Sequence, residues 1–235
     1  MRIAAALLLL TVAEPAFCRQ SFSDFTTPVP LPKGSTLIIG FLGGFEHWDD
    51  PHRGVRKTAL RLREMRLPGV FVETVENHRR SLATELIHRG LGHFDRDEKA
   101  RIRIVLYGQS LGGWAVVRLA RDLDRYGIPV LLTVQVDSVG LSDKVIPANV
   151  KSAANLFQRD FLPVHGSSTI RAYDSARTEI VGNFQYHYKP GFVLSPDQSV
   201  ARMIFMGAHS KMEIDPAVWA QVQQLILDSL ARDAL

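Results

Sequence analysis

Gly108-Gln109-Ser110-Leu111-Gly112 constrains this chain more than any other segment, because of what flanks it. Ile102, Ile104, Val105 and Leu106 before it form the apolar run of a central parallel strand, and Ala115, Val116, Val117, Leu119 and Ala120 after it give a helix an apolar face. A strand that turns straight into a helix forces its apex residue into a strained backbone conformation, so the neighbours must be small. Gly108 and Gly112 supply that clearance around Ser110. The same turn projects the serine hydroxyl from the carboxyl end of the sheet and aims the first free helix amide, that of Leu111, at the space beside it. A serine that only caps the helix is the competing reading.

The flanking pattern alternates strand and helix. Thr36–Ile39 reads as a first strand running into the glycine-rich loop 40–44, and 50–66 as a helix opened by Asp50-Pro51 and closed by Leu67-Pro68-Gly69. Residues 70–75 are β-branched and predict a second strand, 80–89 a helix, 90–100 a loop, and 129–137 the strand after the serine helix. From 141 to 200 prolines and glycines break the pattern, predicting peripheral strands and long loops with short segments at 151–158 and 177–186. A last helix starts near Pro216, with Val218, Val222, Leu225, Ile226 and Leu230 on one stripe. Such βαβα order predicts an α/β fold: a doubly wound, mostly parallel sheet with helices on both faces.

Met1-Arg2 and the apolar stretch of about a dozen residues behind it are too short to span a bilayer and read as an export leader over 1–18. Residues 19–33 then form a linker, and 34–235 one domain. Cys18 is the one cysteine among 235 residues, so neither an intrachain disulfide nor a cysteine metal cluster is expected, and the core must rest on packing. Without disulfides or an Asn-x-Ser/Thr acceptor, a bacterial periplasm or exterior is the expected compartment. The net charge of +4 is spread along helix faces such as Arg53–Arg66, with no aromatic interleaving or reader motif, which argues against a nucleic-acid partner. No integral membrane span is expected in the mature chain.

Serine needs a base to act as a nucleophile, usually a histidine oriented by a carboxylate. Active groups of open α/β sheets gather at the carboxyl ends of the strands, where Asp137 ends the strand after the serine helix and His209 lies just ahead of the last helix. Asp174 and Asp197 stand as alternative acids. His187 reads as a packing or pocket residue, and the histidines that precede Ser110 fall outside the chain order serine, acid, histidine. The amides of Phe41 and Leu111 are candidate oxyanion donors, while Leu42, Trp48 and Trp114 are candidates for an apolar pocket. No Gly-x-Gly-x-x-Gly, Walker-type ending or His-Glu-x-x-His is present, so neither a nucleotide, a metal nor another cofactor is expected.

Gly40-Phe41-Leu42-Gly43-Gly44, Gly108-Gln109-Ser110-Leu111-Gly112-Gly113 and the late His209 resemble the α/β-hydrolase superfamily, in particular its lipase- and thioesterase-like members. The resemblance covers about 34–231. It implies a serine hydrolase without naming a substrate; with the leader over 1–18 and Ser110, His209 and Asp137 as triad, the expected protein is an exported enzyme acting on a small-molecule acyl ester or thioester through an acyl-enzyme. The chain departs from the common pattern in having Ile39 where many relatives have histidine, in placing the presumed acid one strand early, and in having little or no cap domain. A catalytically silent binding protein on this fold, and a peptidase or acyltransferase using the same triad, remain open.

Overall fold

Strands covered on both faces must be apolar along most of their length, and this chain supplies several in alternation with helices. The computed structural model describes residues 20–160, 164–189 and 200–233. The first half contains β1 (Thr36–Leu42), α1 (Gly54–Glu64), β2 (Val70–Glu76), α2 (Arg80–Gly90), α3 (Arg96–Ala100), β3 (Arg103–Gln109) and α4 (Leu111–Asp124). The second contains β4 (Val130–Val136), β5 (Val145–Ile146), β6 (Val150–Gln158), β7 (Arg171–Ala172), β8 (Glu179–Tyr186), α5 (Val200–Ile214) and α6 (Pro216–Asp233). Six strands pair in the order β2-β1-β3-β4-β6-β8, all parallel, and β5 and β7 form a small separate pair. This is a doubly wound, parallel α/β arrangement, with the serine strand β3 near its centre.

Alternation along β1 sets the two layers. Leu37, Ile39 and Phe41 pack with Leu86 of α2 and Val116 of α4, while Ile38 and Leu42 pack with Val55 of α1 and Val222 of α6. Helices α2 and α4 thus cover one face and α1 and α6 the other. Among the described residues no helix is long and apolar enough to cross a membrane. The predicted leader, 1–18, lies outside the described residues.

Several segments differ from the sequence reading: residues 96–100, read as part of a loop, form α3, capped by Asp95, whose side chain accepts the Glu98 amide at 2.8 Å. The first strand does not stop at Ile39: it pairs through Leu42, because Gly40 is a strand residue over which the buried Tyr107 ring lies, 2.5 Å from where a Cβ would stand. Segments 151–158 and 177–186 are β6 and β8 of the main sheet; Lys151, Ser152, Asn155 and Gln158 had broken the apolar run that marks a buried strand. Residues 20–33, read as a linker, pack on the body. The amides and hydroxyls of Thr26 and Thr27 donate to Glu73 Oε1 at 2.8–2.9 Å, and the Leu31 amide donates to Gly90 O at 3.0 Å.

The start of α4 is pressed onto the sheet. A Cβ on Gly112 would lie 2.1 Å from the carbonyl oxygen of Phe41, and one on Gly108 2.6 Å from the Gly112 carbonyl carbon. Both obstacles are main chain and cannot swing aside. Gly112→Ala should therefore lower the unfolding free energy by about 3 kcal/mol in urea titration, whereas Gly92→Ala, whose Cβ meets only ordinary contacts at 3.5 Å, should change it by less than about 0.5 kcal/mol.

Candidate active site

The turn between β3 and α4 puts Ser110 at φ 58°, ψ −124°, a conformation that costs a non-glycine residue on the order of 1–3 kcal/mol. Surrounding bonds hold it there. Its amide donates to Val136 O at 2.9 Å, and its carbonyl accepts from Gly113 at 3.1 Å and Val139 at 3.4 Å. The amides of Leu111 and Gly112 precede the first of these intrahelical bonds, so they point outward at the head of α4.

Asp137 follows β4 directly, at φ 42°, with its amide on Leu156 O at 2.7 Å. Its side chain is fully buried and its oxygens take three donors: His209 Nδ1 at 2.7 Å and Gln158 Nε2 at 3.0 Å on Oδ2, and the Gly166 amide at 2.6 Å on Oδ1. A buried carboxylate is tolerable because those donors replace its water. His209 lies in α5 two residues beyond Gly207, where the helix breaks at φ 43°, ψ −119°. With Nδ1–H donated to Asp137, Nε2 carries the lone pair. That lone pair accepts from the Gln109 amide at 3.2 Å. The fold thus joins Asp137 to His209 and brings the ring to the residue preceding Ser110; among the described residues no hydrogen bond links the ring to the Ser110 hydroxyl.

The other predicted residues are placed as follows. Phe41 and Leu42 are fully buried on opposite faces of β1, so what they present at the strand's end is main chain. Trp48 is held on the α1 side, with the Arg56 guanidinium 5.4 Å from its ring centre and its carbonyl accepting the Thr74 hydroxyl. Trp114 packs against Gly140 and donates to Leu141 O at 3.1 Å, bracing the loop after Asp137. Asp174 caps a turn through the Ala176 amide at 2.9 Å, and Asp197 lies outside the described residues. Gln109, Gln158 and Gly166 escaped the sequence reading. Of these, Gln158 carried a signal: a polar residue closing a buried strand at its carboxyl end. A groove of about 610 Å³ lined by Arg101, Arg103, Lys151 and Arg177 sits at the opposite edge, where the strands begin, and holds none of these residues.

No protein-family model matches the chain, and no curated protein matches it. Among solved structures it is similar to a cutinase-like protein from Cryptococcus sp., at 12% identity and TM-score 0.46 over 83% of this chain and 95% of that one. It is also similar to the RedJ thioesterase of the prodiginine pathway in Streptomyces coelicolor, at 10% identity and TM-score 0.43 over 93% of this chain and 98% of that one.

Removing the carboxylate strands three buried donors. Asp137→Ala should cost about 3 kcal/mol in urea unfolding, and the downfield imidazole proton of His209 expected in the wild-type NMR spectrum should vanish.

Proposed function

We propose that this protein is an exported serine hydrolase that cleaves a carboxylic ester or thioester through an acyl-enzyme. One observation carries the reading: a buried Asp137–His209 pair at 2.7 Å stands at the carboxyl edge of the sheet beside a serine at φ 58°, ψ −124°. In the proposed reaction the Ser110 oxygen attacks the acyl carbonyl and its proton passes to His209 Nε2. Asp137 keeps the ring in the tautomer that leaves this nitrogen free and stabilises the imidazolium. The tetrahedral oxyanion is bound by the Leu111 amide and by that of Phe41, each worth on the order of 3 kcal/mol. His209 then protonates the leaving alcohol or thiol and activates water against the acyl-enzyme.

Apolar side chains support an acyl substrate. Leu111 is 36% exposed, Phe45 on the loop after β1 91% and Leu141 after β4 88%, all following the carboxyl ends of neighbouring strands. Trp114, one turn from Leu111 on α4, ties Leu141 to that helix. Cofactors have no part in this chemistry.

For Ser110 to reach the base, Nε2 must exchange its Gln109 contact for the serine hydroxyl, a bond that in such sites often tightens only once substrate is bound. The same contact favours the second reading, a silent binding protein whose ring is permanently occupied. Turnover decides between them. The purified protein should hydrolyse short p-nitrophenyl esters and take a fluorophosphonate label at Ser110. Ser110→Ala should abolish labelling and lower kcat by at least about four orders of magnitude, and Asp137→Asn should lower kcat by about the same factor. Labelling that persists in Ser110→Ala, or a wild type without turnover, overturns the reading.

A further inference from the structure

Strand β6 outruns its neighbour β4, and the overhang ends on one polar side chain. Val136, the last residue of β4, pairs with Leu156, and β6 continues to Gln158, which therefore stands beside Asp137. Gln158 is fully buried, and each polar atom of its side chain has a defined partner. Nε2 donates to Asp137 Oδ2 at 3.0 Å and to Val164 O at 3.1 Å, while Oε1 accepts the Asp160 amide at 3.0 Å. A backbone amide can only donate, so it fixes which end of the Gln158 amide faces the carboxylate.

The frame around Gln158 leads back to the helix of the base. Asp160 Oδ2 accepts the amide of Tyr188, two residues beyond β8, and Asp160 Oδ1 faces His187 Nδ1 at 3.3 Å. The Tyr188 hydroxyl donates to Asp215 Oδ2 at 2.8 Å, and Asp215 joins α5, which bears His209, to α6. Burial and the bond to that carboxylate hold the Tyr188 pKa far above its ordinary value, so the phenol stays a donor. Asp137, Gln158, Asp160, Tyr188 and Asp215 thus form a circuit that meets α5 at His209 and again just past its last residue.

Asp137 needs such a frame because the torsion that turns its carboxylate plane is soft. Oδ2 takes His209 Nδ1 at 2.7 Å and the Gln158 amide together, and Oδ1 takes the Gly166 amide at 2.6 Å. Gln158 is neutral, so it orients the carboxylate without adding charge to the pair.

We infer that Gln158 is a positioning residue that holds the Asp137 carboxylate in the plane in which Oδ2 meets the His209 ring. The inference rests on the proposed hydrolase chemistry for its kinetic consequence, while the contact itself has readouts that need no turnover. Two hydrogens bound to one oxygen lie within about 4 Å of each other. In the wild type the His209 Nδ1 proton should therefore show a nuclear Overhauser effect to the Gln158 side-chain amide protons. Gln158→Met should keep native near-UV circular dichroism and shift the His209 Nδ1 resonance. It should lower kcat on p-nitrophenyl butyrate by about 30-fold with KM within about threefold, the scale of a lost hydrogen bond to a charged group.

Gln158→Glu separates a donor from a filler of the same shape. Two carboxyls sharing a site do not both ionise readily, so the new one keeps its proton well above the usual glutamate range. Protonated, it donates to Asp137 as the amide did; ionised, it repels it. This variant should come within about threefold of the wild-type kcat at pH 6 and lose activity along a new descending limb near about pH 8, with the His209 Nδ1 resonance moving over the same range. The wild type carries the same Asp137, His209, Asp160, His187, Tyr188 and Asp215, so a limb found only in the variant belongs to the new carboxyl.

A missing Overhauser effect, a His209 resonance unmoved in folded Gln158→Met, or a Gln158→Glu profile parallel to the wild type overturns the inference. Should either variant not fold, the Overhauser effect in the wild type decides it. A wild type that neither turns over ester nor takes the fluorophosphonate label sinks the hydrolase reading alone, since the Overhauser effect and the resonances are read without substrate.

Discussion

Main chain pressed against main chain at the head of α4 is the constraint on which the rest of the molecule depends. Gly112 sits so close to the Phe41 carbonyl, and Gly108 so close to Gly112, that the helix can start only one residue beyond β3. That leaves Ser110 no relaxed conformation, and its amide and carbonyl bonds to Val136, Gly113 and Val139 hold it in the strained one. Close packing here therefore does two things at once. It covers the sheet with α4, and it sets the head of the helix, with its outward amides, against the end of β1.

Buried charge accumulates at this same edge, and at Asp137, Glu46 and Glu213 it is matched. Asp137 is matched by an imidazole, a side-chain amide and a backbone amide, while Glu46 and Glu213 are matched by Arg53 and by the amides of Gly43 and Gly54. Ionised groups withdrawn from water are costly unless paired and hydrogen-bonded. The satisfied groups are distributed over β1, β4, β6, α1 and α5 or the loops beside them, so the edge behaves as one interlocked layer in which a displaced element unsettles several charges. Gln109 belongs to this layer as well, reaching from the neighbourhood of Gly43 to His209.

Local chemistry made much of this legible in advance. Apolar β-branched runs marked β1 to β4, the glycines around Ser110 marked the turn, and the stripe on α6 marked a covering helix. Asp137 and His209 could be nominated because strand order tells which chain ends share an edge. Where polar residues interrupted a buried strand, as in β6, the pattern failed: Ser152 and Asn155 are buried through contacts with segments distant in sequence, which no local periodicity records. Gly40 misled for a related reason, being a strand residue whose missing side chain makes room for Tyr107.

By itself the sequence determined the elements, their alternation and the place of the strained serine, because periodicity and glycine sterics act over a few residues. Only the tertiary structure decided which carboxylate meets the His209 ring, that Gln109 takes its other nitrogen, and that Arg53 stands between Glu46 and Glu213. Those contacts join residues up to 160 positions apart, such as Gly54 and Glu213 at 159. Such pairing exists only once packing has brought the groups together and stripped away the water that would otherwise solvate each alone.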